Sequence, residues 1–66
     1  MRIAAGKTYI DRQGKKFYVH AIKAAQSDLG LSESAIIEDV TTKNPRGKEF
    51  PWARWILERD FVSECP

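Results

Sequence analysis

Residues 15–40, KKFYVHAIKAAQSDLGLSESAIIEDV, decide the fold. At about 100° per residue, Phe17, Tyr18, Ala21, Ile22, Ala24, Ala25 and Leu29 fall on one broad face. His20, Lys23, Gln26 and Ser27 fall opposite, and only Val19 and Asp28 are misplaced. As a strand, the stretch is apolar on both faces at first and then runs into Ala-Ala-Gln-Ser. The period therefore predicts a helix over 16–29, although Phe17-Tyr18-Val19 is also good strand material. Gly30 stands where a helix C′ residue belongs. Ser32 fits an N-cap, Leu31 and Ile36 have the spacing of a hydrophobic staple, and Glu33 suits a first turn. A second helix over 33–41 would align Ile36, Ile37 and Val40. Only Gly30-Leu31-Ser32 separates the two, which is helix-turn-helix geometry in the loose sense.

Working outward, Thr8-Tyr9-Ile10 favours a strand. Gln13-Gly14-Lys15 suits a turn with Gly14 at positive φ, leading into Phe17–Val19 as a hairpin. A loose N-terminal arm is the alternative. On the other side, Asn44-Pro45 and Gly47 mark a loop over 42–49. Pro51 fits the first position of a helix over 51–64. Ala53, Leu57 and Phe61 form one apolar stripe there, and Trp52, Trp55, Ile56 and Val62 a second. An edge strand Phe50–Arg54 followed by a short helix is also open, since Pro51 excludes only a central strand. The expected fold is mainly α, with three helices near 16–29, 33–41 and 51–64 and an N-terminal arm or β-hairpin. The alternative is a small α+β fold, with a barrel implied only by a family resemblance.

The chain has 66 residues, 42% of them hydrophobic and 30% charged, with a net charge of +2. That permits one small domain over 1–66, too apolar for a disordered tail. No apolar run reaches the length of a membrane span, and the start lacks the apolar core of a signal peptide. The single cysteine, Cys65, allows no internal disulfide. Small secreted domains usually need such staples, so a reducing cytoplasm is the expected compartment.

No motif for catalysis stands out. There is no HExxH, no glycine-rich phosphate loop and no CxxC. His20 is the only histidine and reads as a solvated surface residue. Glu38-Asp39 and Glu58/Asp60 read as solvated acidic faces. Neither a metal site nor a cofactor is expected. Trp52 and Trp55 read first as core bulk and second as interface anchors, since tryptophan is common at binding hot spots. The basic residues fall in two groups. Lys43, Arg46 and Lys48 lead into the last helix, joined by Arg54, and Lys15 and Lys16 flank the Gly14 turn. Cations near a helix N-terminus suit phosphate.

Two families share features with the chain. Ala21-Ile22, Ala25, Leu29-Gly30-Leu31-Ser32, Ile36, Arg46, Glu49, Phe50, Ala53-Arg54 and Ile56 resemble the duplex-DNA-binding domain of the bacterial chromosomal replication initiator. The resemblance covers roughly residues 21–57 and implies that Arg46 enters a minor groove. Gly6-Lys7-Thr8-Tyr9, Gly14, Phe17-Tyr18-Val19 and Trp52-Ala53-Arg54 resemble small bacterial Src-homology-3-like barrel proteins of unknown function.

The expected function is non-enzymatic nucleic-acid binding, DNA preferred. Lys43, Arg46, Lys48 and Arg54 would be the contacts, with Lys15 and Lys16 outside them. The alternative is a small protein-interaction module or inhibitor of phage or mobile-element type. It would use Trp52, Trp55 and Val62 as the anchor for a partner or a second copy of the chain.

Overall fold

The computed structural model describes residues 1–27, 30–41 and 49–65. The elements are β1 (Thr8–Asp11), β2 (Lys16–Ser27), β3 (Gly30–Asp39), β4 (Phe50–Ala53), α1 (Arg54–Asp60) and β5 (Phe61–Cys65). They form one antiparallel sheet in the order β4-β3-β2-β1-β5. The edges are β4 and β5, and α1 joins one edge to the other.

This overturns the expected mainly α fold and its helix-turn-helix pair. Residues 16–27 and 30–39 are the two strands of a long hairpin, with Ser27 paired to Gly30. Ser32 and Ile36, read as cap and staple, are ladder residues opposite Ala25 and Ala21. The misleading feature is a bulge. Val19 pairs with Ile37 and Ala21 with Ile36, so His20 is an extra residue in β2. A bulge changes which face the following side chains occupy. Val19 is fully buried before it, and Ile22 packs against the core after it. The inward side passes from odd positions, 17 and 19, to the even position 22, so no single period of two runs through β2. Strand β3 has no such interruption. Ala35 and Ile37 are buried while Ser34, Ile36 and Glu38 are not, the period of two that a strand requires.

The last expected helix, 51–64, is also corrected. Phe50–Ala53 is an edge strand and the helix is only Arg54–Asp60. Pro51 cannot donate to a ladder, so the edge is where a strand tolerates it. A helix of seven residues is marginal alone. Here Leu57 anchors it in the core and the Phe61 N–H closes its end on the Leu57 carbonyl.

The hairpin expected at the N-terminal end is present. Gly14 has φ +82, and the Asp11 carboxylate accepts from the Gln13 and Lys15 N–H groups, each at 2.9 Å. The arm before it is docked. Ile3 is 1% exposed, and the Ala4 N–H donates to the Tyr9 hydroxyl at 2.8 Å.

The core is Ile3, Tyr9, Val19, Ala35, Ile37, Leu57 and Phe61. Phe61 is its centre, stacked on Tyr9 at 5.4 Å and on Phe17 at 6.0 Å between ring centroids. Lys7 and Glu64 pair at 3.1 Å on the surface. The hydrogen bond and charge of Glu64 hold the Lys7 ammonium above its ordinary value. An exposed pair of this kind contributes little to stability.

The strand assignment separates two adjacent isoleucines. Ile37→Ala should destabilise the fold by about 3 kcal/mol in urea unfolding, because it empties a buried site. Ile36→Ala should cost roughly 1 kcal/mol, since Ile36 is only partly buried. Equal losses would contradict the alternation of β3.

Candidate functional site

A cleft of 380 Å³ opens beside the core, between the β1–β2 turn, β4 and α1. Its floor is Phe17, Ile37, Leu57 and Phe61. Phe50 and Trp52 of β4 form one wall, and Ile56 and Asp60 of α1 another. Asp11, Arg12 and Gln13 form the remaining rim. The Phe50 and Trp52 rings meet edge to face, 6.5 Å apart and at 70°. The Arg12 guanidinium donates to the Arg59 carbonyl at 3.3 Å, tying the turn to the end of α1. The volume and the apolar floor with a few polar groups are those of a ligand-sized site.

Trp52, Trp55 and Val62 are 45%, 63% and 56% exposed. The first reading of the tryptophans as core bulk is therefore corrected. Trp52 lines the cleft; Trp55 and Val62 do not. Trp55 stands on α1 with the Arg59 guanidinium 5.5 Å from its ring centre. Val62 falls where β5 shifts register against β1, between Ser63 opposite Ile10 and Phe61 opposite Asp11.

The basic residues have different settings. Lys43, Arg46 and Lys48 lie outside the described residues. Lys15 and Lys16 are exposed at the β1–β2 turn. Arg54 is committed elsewhere. Its side chain donates to Glu33 at 2.9 Å, to Glu58 at 3.4 Å and to the Ile3 carbonyl at 2.8 Å. Glu58 in turn accepts from the Ile3 N–H at 2.9 Å. Partial burial works against the Arg54 charge, but Glu33 and then Glu58 outweigh it and hold the guanidinium above its ordinary value. Arg54 is thus a clamp between α1, β3 and the N-terminal arm.

His20 is not the isolated surface residue its sequence setting suggests. Its Nε2 lies 3.3 Å from Glu38 and its Nδ1 3.4 Å from Glu49. The three residues present ligand-type atoms within 4.8 Å of one another. The Tyr18 ring meets the imidazole edge to face at 4.6 Å. The cleft and this cluster occupy opposite faces of the sheet, since Tyr18, Glu38 and Glu49 directly follow or precede the cleft residues Phe17, Ile37 and Phe50.

No signal in the sequence collected the cleft. Asp11 and Asp60 are far apart along the chain, and so are Phe17 and Phe50. Phe17 and Phe50 meet only through β3, and a hairpin closed at Ser27 and Gly30 gives the register of Phe17 correctly only once the bulge at His20 is included. No family model, curated protein or solved structure matches the chain. Among the described residues, no helix is long and apolar enough to cross a membrane.

Arg54→Ala should cost about 2 kcal/mol of stability, because it removes the charge-assisted bonds to Glu33 and Glu58 and the donor to the Ile3 carbonyl. Hydrogen exchange should rise first at Ile3 and Ala4. Unchanged protection of the arm would show that Arg54 does not hold it.

Proposed function

We propose that the protein is a non-enzymatic interaction module that holds an extended segment of a partner protein in the cleft beside β4 and α1. The observation that carries this reading is the aromatic cleft with Trp52 half exposed at its edge. An apolar floor flanked by aromatic rings is how grooves hold proline-rich extended segments, whose backbone is already ordered before binding. The rim has two carboxylates, Asp11 and Asp60, against one guanidinium, Arg12. A ligand with apolar or proline residues and one basic side chain fits that lining. A cytoplasmic setting belongs to the same reading, on the single cysteine.

Nucleic-acid binding through Lys43, Arg46 and Lys48 is the competing outcome. Of the cations expected to act with them, Arg54 is already engaged with Glu33 and Glu58.

The test uses Trp55→Phe protein, so that Trp52 alone reports by fluorescence. Proline-rich peptides carrying one arginine are titrated beside a random duplex and a single strand, each at low and physiological salt. The peptides should shift Trp52 emission. Phe50→Ala should weaken binding at least tenfold, about 1.4 kcal/mol or more. Peptides without effect, alongside duplex binding that falls steeply with salt and ignores Phe50→Ala, would replace this reading with phosphate contact.

A further inference from the structure

We propose that His20, Glu38 and Glu49 form a binding site for a divalent transition-metal cation of the zinc class. The three residues come from neighbouring elements in the sheet. His20 is the bulged residue of β2, Glu38 lies in β3, and Glu49 directly precedes β4.

The register gives a reason for a cation here. Ile37 pairs with Phe50, and one step further along the same antiparallel register Glu38 faces Glu49. Like charges directly opposite across two chains are unfavourable. His20 stands between them, with one ring nitrogen toward each carboxylate at 3.3 and 3.4 Å. A neutral imidazole has a single N–H and satisfies only one carboxylate. Its other nitrogen then presents a lone pair to the second. A positive occupant of the cluster resolves both conflicts. It is either a second proton on the ring or a metal ion.

The donor set selects the metal class. Zinc accepts imidazole nitrogen and carboxylate oxygen together, at bond lengths of roughly 2.0–2.2 Å. Calcium and magnesium prefer oxygen alone. Imidazole thus favours a transition metal over either. The ligand atoms lie within 4.8 Å of one another, so small side-chain rotations bring them to one centre. The side chains are 30%, 30% and 54% exposed, which leaves solvent access for the ion. The Tyr18 ring packs against the imidazole at 83°, one more contact on the ring besides the two carboxylates. Three protein ligands leave a further coordination position for water. The backbone carrying them is set by ladder pairs on both sides, Val19 with Ile37 and Ile37 with Phe50.

The experiment titrates zinc chloride into the untagged full chain carrying Cys65→Ser, which removes the one thiol. Calorimetry gives affinity and stoichiometry. Nitrogen-detected spectra of the His20 ring locate the ion. One zinc per chain should bind, with a large shift of one His20 ring nitrogen. Glu49→Gln and His20→Asn should each weaken binding at least tenfold. Lowering the pH from 8 to 5 should also weaken it, as protons compete for the ligands. The same spectra taken on Glu49→Gln keep the test independent of any folding defect in His20→Asn. No zinc binding, or binding that leaves the His20 ring unshifted or ignores both substitutions, would overturn the proposal and leave the cluster to a ring proton. Peptide titrations of the same variants report on the cleft separately.

Discussion

The extra residue in β2 is the constraint on which the other features rest. Val19 pairs with Ile37 and Ala21 with Ile36, so the ladder runs past His20 without a partner for it. A bulge bends its strand and increases the local twist. Five strands laid flat would put the two edges about 19 Å apart, at 4.8 Å per neighbour. Helix α1 leads from the end of one edge strand to the start of the other, and its seven residues span only about 10 Å. The sheet must therefore curl for β4 and β5 to be joined this way. Curling turns the inner faces of Tyr9, Val19 and Ile37 toward one another and lets Leu57 and Phe61 cover them.

The same curl produces the cleft. Phe17, Ile37 and Phe61 lie where the core meets its open end, and the β1–β2 turn, β4 and α1 rise around them. A domain this small buries a limited fraction of its surface, and its core is thin. Side chains at the margin are then shared between stability and surface. Phe50 packs against the core and also walls the cleft, whereas Trp52 next in the cleft wall is half exposed. The opposite face of the same strands carries Tyr18, His20, Glu38 and Glu49. One stretch of sheet therefore holds an apolar hollow on its inner side and a charged cluster on its outer side.

Some of this was legible in the chain. The Gly14 turn, the strand Thr8–Ile10 and the possibility of an edge strand at Phe50 all follow from local chemistry: a φ only glycine favours, β-branched and aromatic residues, and a proline without an N–H. Residues 15–40 were not legible in the same way. Their strand period is masked because the bulge moves the inward side from odd positions, Phe17 and Val19, to the even position Ile22, so no single alternation runs through the stretch. Ala24, Ala25 and the Ser32-Glu33 pair added local helix signals, and propensity yields readily to tertiary pairing. The cleft and the His20 cluster were hidden for a related reason. Each joins residues that are distant in sequence and adjacent only across strands.

By itself the sequence determined the local events: a tight turn at Gly14, a strand before it, and a proline that an edge strand tolerates. Tertiary structure alone decided that Lys16–Ser27 and Gly30–Asp39 pair as strands, that Arg54 clamps the N-terminal arm rather than standing free, and that Trp52 walls a cleft while Trp55 faces solvent. The physical reason is the range of the forces involved. Turn geometry depends on a residue and its neighbours, while ladder register, bulge position and burial depend on partners that the chain brings together only when it folds.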